Sequence, residues 1–211
     1  DQVGRNFMNH NATFMLTIDP GKVNDSVYQK TLHFNDFYFD DGQGSGPLGQ
    51  VQLLGRVTAP IMKSRVPLVP EWALKPVSNR AVDWYLVSED LPRPESRVRV
   101  DGETVVLEWR FSNIKAHQKL VVKVRERMRA AGYPIVLTQL VDGRLPSHQC
   151  GTARIGTDPA TSVSDPFCRS WDHSNLFIVD AGFLPTSAAV NPSLTVAAQA
   201  LRVADHIKST E

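Results

Sequence analysis

Six histidines are the side chains best suited to acid–base chemistry in this 211-residue sequence. An imidazole changes charge near neutral pH, so histidine is the commonest general base in enzymes. None of the six forms an H-x-x-x-H pair or accompanies cysteines at zinc-binding spacing, and the sequence therefore predicts no metal site. Residue type alone ranks none of them above another. They are His10, His33, His117, His148, His173 and His206.

Two cysteines, Cys150 and Cys168, are the other candidate nucleophiles. Cys150 follows His148 by two residues, a spacing that places both side chains on one face of an extended chain. A reactive thiolate needs a cation or a helix N-terminus beside it, and the surrounding sequence indicates neither. We therefore predict two unreactive thiols, and no disulfide framework.

A glycine-rich stretch from Gly44 to Gly49 matches the G-x-G-x-x-G pattern of dinucleotide-binding loops. Such a loop must open a helix, because the first backbone N–H groups of that helix bind the pyrophosphate. Pro47 interrupts the stretch, and the residues from Gln50 to Arg56 have the composition of a strand. The sequence thus predicts a hairpin loop, and the nucleotide-binding half of a Rossmann fold is expected to be absent from this chain.

The composition excludes several classes of partner. With 23 basic and 22 acidic side chains, the net charge of +1 argues against a broad nucleic-acid surface. No apolar stretch approaches the ~20 residues of a membrane helix, so we predict no membrane span. The low cysteine content favours a cytoplasmic location. The first residue is Asp1 rather than Met, from which we expect a removed start or one piece of something longer.

The secondary-structure elements that must position the histidines change along the chain from predicted strands to a predicted helix. β-branched and aromatic residues dominate the first 110 positions, where partial alternation predicts an antiparallel sheet with one solvated face. A helical apolar period follows from Asn113 to Ala131 and ends at Gly132. The predicted strands are His10–Ile18, Asn35–Asp40, Gln50–Arg56, Ala81–Val87, Thr104–Trp109, Tyr133–Val141 and Asn175–Asp180.

The last predicted element is a helix from Pro192 to Lys208. Asn191 is a favoured N-cap residue, and proline suits the first helical position because a helix start leaves that N–H unpaired. One apolar stripe runs along this helix and consists of Leu194, Ala197, Ala198, Leu201, Ala204 and Ile207.

A series of motifs in the last third of the chain resembles the C-terminal segment of the glucose–methanol–choline (GMC) oxidoreductases, flavoenzymes that oxidise alcohols. In order they are His148 to Gly156 (HQCGTARIG), Asp158-Pro159, Asn175 to Ala181 (NLFIVDA), Phe183 to Thr186 (FLPT), Asn191 to Thr195 (NPSLT) and Ala200 to Asp205 (ALRVAD). Near the start, Val3 to Asn6 with His10 resembles the family's V-G-R-N-x-x-x-H segment, which lies mid-chain in that family. The residues between resemble the family's substrate domain only loosely.

The resemblance implies a catalytic pair. His148 occupies the position of the family's base, which takes the proton of the substrate hydroxyl while hydride passes to N5 of FAD. The second family position is His or Asn, and here it is Asn191. An amide is no base at neutral pH, so Asn191 is expected to hydrogen-bond the substrate oxygen. His148 is then the sole proton acceptor.

The same resemblance implies where the cofactor binds. Reduced flavin carries negative charge near N1 and the C2 carbonyl, and the first N–H groups of the last helix are expected to face it. The strand end at Asp180 resembles the family position near the pyrophosphate and the ribityl chain. The expected cofactor-binding residues are Asp180, Ala181, Asn191, Pro192, Ser193 and Leu194.

The implied fold class is α+β. An antiparallel substrate-binding sheet backed by helices is joined to the C-terminal strand and helix of a Rossmann-like FAD-binding domain that another chain completes. Residues 1–10 are expected to be a residual flavin-domain segment, residues 11–145 the substrate-binding domain, and residues 146–211 the catalytic and FAD-site segment. The family's flavin-binding glycine fingerprint is absent from this sequence, so we expect an N-terminal FAD-binding half as a separate chain.

The implied activity is oxidation of an alcohol to a carbonyl. A sugar, glycoside or polyol is the expected substrate, and O2 or a quinone the expected electron acceptor. Two alternatives stay open. One is a lyase, since some family members cleave cyanohydrins with similar histidines; the other is a non-catalytic fragment that only binds a partner.

Overall fold

The computed structural model of the chain describes residues 1–26, 30–40, 42–44, 46–141 and 148–210. These residues pack as two compact units, each assembled from separate parts of the chain. The first unit contains residues 1–11, 89–114 and 142–211, and the second contains residues 12–88 and 115–141. Residues 89–114, which we expected within the substrate-binding part, thus pack with the segments at the two ends of the sequence.

The described chain forms seven strands and four α-helices. The strands are β1 (Asn11–Ile18), β2 (His33–Phe34), β3 (Gln50–Leu53), β4 (Ala81–Ser88), β5 (Arg97–Asp101), β6 (Thr104–Glu108) and β7 (Ile135–Leu140). The helices are α1 (Ala59–Arg65), α2 (Glu71–Ser78), α3 (Ile114–Ala130) and α4 (Ser193–Thr210), and a short 3₁₀ helix covers Ala181–Phe183. The helices predicted after Asn113 and after Asn191 are confirmed, but α4 begins one residue later than predicted. Pro192, whose carbonyl accepts from the Val196 N–H, therefore occupies the N-cap position predicted for Asn191.

A five-stranded sheet forms the centre of the second unit. Its strand order is β2-β3-β4-β1-β7, and the pairs β2–β3, β3–β4 and β1–β7 are antiparallel. The glycine-rich stretch ending at Gly49 leads into β3, so it precedes a strand rather than a helix, as predicted. The prediction of an antiparallel sheet with helices is confirmed.

Helix α3 packs on this sheet through one apolar face. Leu120, Val124 and Met128 recur at helical spacing and join sheet residues such as Met15 and Leu86 in one buried core. Each such side chain contributes roughly 1.5–3 kcal/mol when it leaves water completely.

A buried histidine joins α3 to two strands of the same unit. The ring of His117 lies between the hydroxyls of Thr13, at 2.7 Å, and Ser88, at 2.9 Å. Burial lowers the pKa of His117 to about 4, because the charged ring would lose its hydration. His117 is therefore a neutral structural histidine, held by two hydroxyls.

The first unit contains the β5–β6 hairpin and α4. In the hairpin Asp101 pairs with Thr104, which leaves a two-residue turn that begins at Gly102. Val203 of α4 is buried against Cys168 and Phe183. Both cysteines of the chain are free and buried.

Two predicted strands are wrong. Residues 35–40 form turns, in which the Tyr38 N–H donates to the Asn35 carbonyl at 2.9 Å. The stretch 175–180 has a single bridge, between Phe177 and Arg169, and is otherwise irregular. Apolar composition suggested a strand in both places, but neither stretch has a neighbouring strand with which to build a ladder.

Most of the predicted apolar stripe of α4 does not face the core of this chain, and only Ile207 of the stripe packs against it. Leu194 is 83% exposed and Leu201 is 70% exposed, whereas the buried side of the helix carries Val203 with Val196 and Ile207 packed nearby. A contiguous exposed apolar face of this kind is typical of an interaction surface.

Within the described residues, no helix has the combination of length and apolar character that a bilayer crossing requires. The same residues contain no cluster of three histidine, cysteine or acidic side chains arranged to hold a metal ion.

Candidate active site

The His148 motif lies alongside the first residues of the chain. Met8 and Cys150 exchange backbone hydrogen bonds of 2.9 and 3.0 Å, and the Gly4 N–H donates to the Thr152 carbonyl at 2.9 Å. The two stretches that resemble the same family from opposite ends of the sequence are thus antiparallel neighbours. This backbone pairing fixes the position of the main chain next to His148.

On its other side the His148 motif contacts the 3₁₀ helix at Ala181. The Ala153 N–H donates to the Gly182 carbonyl at 2.9 Å, and the Gly151 N–H donates to the Ala181 carbonyl at 3.4 Å. Asp180 caps this 3₁₀ helix, because its carboxylate accepts from the Gly182 N–H at 2.7 Å. Asp180 therefore caps a turn and does not end a strand, and Ala181 lies beside the His148 motif.

Gly151 permits the close approach of these segments. Its φ is +91°, a left-handed conformation that glycine adopts without strain. A Cβ atom at this position would lie 2.3 Å from the Asn6 carbonyl oxygen and 2.5 Å from Cε of Met8. A side chain here would push the His148 motif away from the first residues.

We predict that Gly151→Ala destabilises the first unit by more than ~2 kcal/mol, because it combines backbone strain with a clash against the Asn6 carbonyl. Gly102→Ala is the matched control: its φ is +59°, but nothing lies within 4 Å of its Cβ position. Urea denaturation of both variants measures the difference. Equal losses of unfolding free energy in the two variants would show that the close approach of Gly151 to Asn6 contributes nothing to stability.

Asp90 links three parts of the first unit. Its carboxylate is buried and accepts from the Asn9 N–H at 3.0 Å and from the Trp109 indole N–H at 2.9 Å. It also accepts from the N–H and the hydroxyl of Ser112, and the Asp90 N–H donates to Ser187 Oγ at 2.8 Å. The chain before His10 and the chain before Asn191 are thus both tied to Asp90. Sequence reasoning missed this residue, since one acidic side chain in a proline-rich stretch carries no motif.

His148 itself has a left-handed backbone, with φ of +61°. Its ring lies edge-to-face against the ring of His10, with the centroids 4.9 Å apart and the planes at 75°. Non-glycine residues adopt this conformation infrequently, and they occur preferentially at functional sites. The tight backbone turn directs the side chain onto His10.

His10 also lies against the chain that leads to Asn191. Its ring is only 2% exposed, and the carbonyl groups of Ala188 and Val190 are close enough to favour its protonated form, although neither ring nitrogen has a hydrogen-bond partner of good geometry. Burial, followed by the charge of His148, lowers the pKa of His10 to about 4. His10 is thus a neutral ring that contacts both His148 and the approach to Asn191. In the sequence it stood out only as part of the V-G-R-N-x-x-x-H resemblance, with no role.

Four of the six predicted cofactor residues, Asn191 to Leu194, lie at the exposed start of α4, whereas Asp180 and Ala181 lie at the 3₁₀ helix. The Val196 N–H donates to the Pro192 carbonyl at 3.0 Å, so the N–H groups of Ser193 and Leu194 precede the hydrogen-bonded part of the helix. Asn191 and Ser193 are exposed, like Leu194. This helix start is therefore open to a polar or anionic group that approaches from outside the chain.

Cys150 is excluded as a nucleophile by its surroundings. Burial, together with the charge of Asp90, raises the pKa of Cys150 to about 12, so the thiol is neutral at physiological pH. The prediction that this cysteine is unreactive agrees with its environment.

The fold and these motifs together identify the family. Residues 92–200 match the family model described as GMC oxidoreductase. This range covers more than half of the sequence, and the chain belongs to the GMC oxidoreductase family.

Curated relatives of the chain include oxidases and dehydrogenases. Pyranose 2-oxidase of Lyophyllum shimeji is 30% identical over 157 residues, which are 72% of this chain and 24% of that protein. The 2-methyl-1,2-propanediol dehydrogenase of Mycolicibacterium austroafricanum is 45% identical over 60 residues, which are 28% of this chain and 11% of that protein.

Solved structures support the same fold. Pyridoxine 4-oxidase from Mesorbium loti superposes with a TM-score of 0.59 at 18% identity, over 100% of this chain and 44% of that chain. Formate oxidase of Aspergillus oryzae, in a structure concerned with its FAD modification, superposes with a TM-score of 0.61 at 13% identity, over 99% of this chain and 48% of that one. The chain therefore spans less than half the length of these solved structures.

Proposed function

We propose that this chain provides the base and one wall of the flavin site in an FAD-dependent enzyme that oxidises an alcohol to a carbonyl. The observation that carries the proposal is the placement of His148 and of the chain leading to Asn191 against one buried ring, that of His10. Oxidation of an alcohol requires a proton acceptor and a group that orients the oxygen, and these two side chains have the required chemistry.

His148 takes the hydroxyl proton in this proposal. The reacting alcohol loses that proton to an imidazole nitrogen and loses hydride from the carbon, and the carbon–oxygen double bond forms. FAD, when bound, supplies the acceptor for the hydride. His10 is buried and uncharged, and Asn191 is an amide, so His148 is the residue of this group suited to accept a proton.

Asn191 orients the substrate oxygen in this proposal. Its amide N–H groups donate hydrogen bonds to the oxygen, which gains negative charge as the proton leaves. Its place two residues before Ser193, the first residue of α4, sets the oxygen near the start of that helix. The amide therefore fixes the direction of the C–H bond that is broken.

The start of α4 fits a flavin. The N–H groups of Ser193 and Leu194, which follow Pro192, would hold the electron-rich edge of the isoalloxazine ring. The backbone at Asp180 and Ala181, which is anchored to the His148 motif, would lie along the rest of the cofactor. This assignment is supported by the exposure of the helix start and by the family to which the chain belongs.

We propose a sugar, glycoside or polyol as the substrate, and O2 or a quinone as the final electron acceptor. Relatives named for such substrates support the substrate class. They include pyranose 2-oxidase, the paromamine 6'-oxidase of Streptomyces fradiae and the large subunit of fructose dehydrogenase of Gluconobacter japonicus.

We further propose that a separate flavin-binding polypeptide covers α4. The exposed apolar stripe that includes Leu194 and Leu201 supports this, because so much apolar surface on one helix face is stabilised by a partner. The occupant is then the polypeptide that provides the rest of the flavin site.

Anaerobic addition of a pyranose to the purified FAD-containing enzyme tests the proposed activity. We expect bleaching of the flavin absorbance and one equivalent of carbonyl product for each flavin reduced. An intact-mass measurement of the same preparation identifies the accompanying polypeptide. Product without bleaching would instead indicate a lyase, and neither product nor bleaching across sugars, polyols and simple alcohols would refute the oxidation.

A further inference from the structure

His10 is the described side chain whose contacts join the two halves of the proposed catalytic pair. Its ring lies 4.9 Å from that of His148, centroid to centroid, and at 75° to it. Its other neighbours are the carbonyl groups of Ala188 and Val190, the residues that lead to Asn191. At 2% exposure, the His10 ring fills the space between these segments.

The geometry points to His10 as a positioning residue, whose buried ring sets the separation between His148 and Asn191 and confines the imidazole of His148 to one orientation. This inference rests on the proposed function for its catalytic consequence. His10 touches neither FAD nor substrate in this scheme and acts only through its neighbours.

Backbone strain on both sides of His10 makes a rigid spacer necessary. His148 has φ of +61° and Ala188 has φ of +52°, so both flanking segments turn sharply where they meet the ring. Left-handed conformations cost free energy and persist only where the surroundings determine them. The packed ring of His10 is part of those surroundings.

The charge state of His10 suits a spacer beside a base. Burial and the neighbouring His148 keep its pKa at about 4, so it stays neutral when His148 takes a proton. Ionisable groups on the packed segments include Asp90, whose carboxylate accepts from four donors, Glu89, whose carboxylate accepts from the Thr186 hydroxyl, and Cys150, a neutral thiol. A second positive charge therefore does not form next to His148.

Neither ring nitrogen of His10 has a hydrogen bond of good geometry, so the ring acts through its shape. A phenylalanine at position 10 should then preserve the positioning of His148, and an alanine should not. We expect His10→Ala to reduce the rate of flavin reduction by roughly 10- to 100-fold, since misplacement of a reacting group by about 1 Å has effects of this size. His10→Phe should stay within about threefold of the unsubstituted enzyme.

His117→Gln is the matched control, because His117 is an equally buried neutral histidine in the other unit and glutamine can still bond to Thr13 and Ser88. A second measurement does not depend on FAD: NMR of the histidine rings in the isotopically labelled protein. We expect the His148 ring to keep one sharp set of signals in H10F and H117Q, and to give shifted or broadened signals in H10A.

An H10A variant with unchanged His148 signals and unchanged flavin reduction would overturn the inference. The inference would also be overturned if H10F lost as much of the flavin-reduction rate as H10A while its other NMR signals showed a folded protein. A different variant shows whether the proposed function itself is wrong. If His148→Ala leaves flavin reduction intact, His148 is not the base, whereas the NMR comparison still reports whether His10 confines its ring.

Discussion

Replacement of His148 by alanine is expected to lower the rate of flavin reduction by at least ~100-fold in the FAD-containing enzyme, because loss of a general base typically costs 10²- to 10⁴-fold. The described neighbours offer no substitute. His10 is held neutral by burial, and the Cys150 thiol has a pKa of about 12. Anaerobic stopped-flow measurement of the flavin absorbance gives this rate directly.

His173→Ala is the control for that experiment. His173 lies in an exposed loop, and it enters the hydrogen bonds of that loop through its backbone. We expect flavin reduction in H173A within about threefold of the unsubstituted enzyme, as for other surface substitutions. An H148A enzyme with normal flavin content that reduces FAD as fast as H173A would eliminate His148 as the base.

Asp90→Ala is expected to cost about 3–5 kcal/mol of stability and to abolish activity, because it leaves several buried donors without an acceptor. The donors are the backbone N–H of Asn9, the indole of Trp109, and the N–H and hydroxyl of Ser112. Without this carboxylate the chain before His10 loses its hydrogen bond to residue 90, which stays bonded to Ser187 only through its backbone. Urea denaturation followed by tryptophan fluorescence measures the loss of unfolding free energy.

Two further substitutions make the Asp90 result specific. Asp90→Asn keeps an acceptor oxygen but removes the charge and presents an NH₂ group to other donors, so an intermediate loss is expected. Asp172→Ala, at an exposed loop position, should change stability by less than about 0.5 kcal/mol. If D90A unfolded at the same urea concentration as D172A, Asp90 would have no role in joining the segments.

Much of the fold could be predicted from the sequence where periodicity and chain breaks agree. Helix α3 has an apolar period and a terminal glycine, and β1 and β4 have β-branched and aromatic residues bounded by turn signals. The stretch 175–180 has the same composition, but it becomes irregular because strand formation also needs a neighbour. Composition gives the preference of the residues themselves and carries no information on a neighbouring strand. This is why the strand prediction for residues 175–180 is wrong.

The residues of the candidate site also fall into two groups, those that sequence motifs indicate and those that only the structure reveals. His148 and Asn191 could be selected because their motifs resemble a family, and that family is confirmed by the match over residues 92–200. Asp90 and the function of His10 could not be found in this way, since their roles come from contacts with residues far away in sequence. The assignment of His148 as the base is the prediction that the His148→Ala measurement tests.

The pairing of Met8 with Cys150 has a consequence for the way the protein folds. These partners are separated by about 140 residues, so the entropy of closing a very large loop must be overcome before they meet. Contacts of such high sequence separation form slowly. The five-stranded sheet and α3 can thus become ordered before the His148 motif meets the first residues of the chain. The pairing that positions the proposed base is then among the last contacts to form.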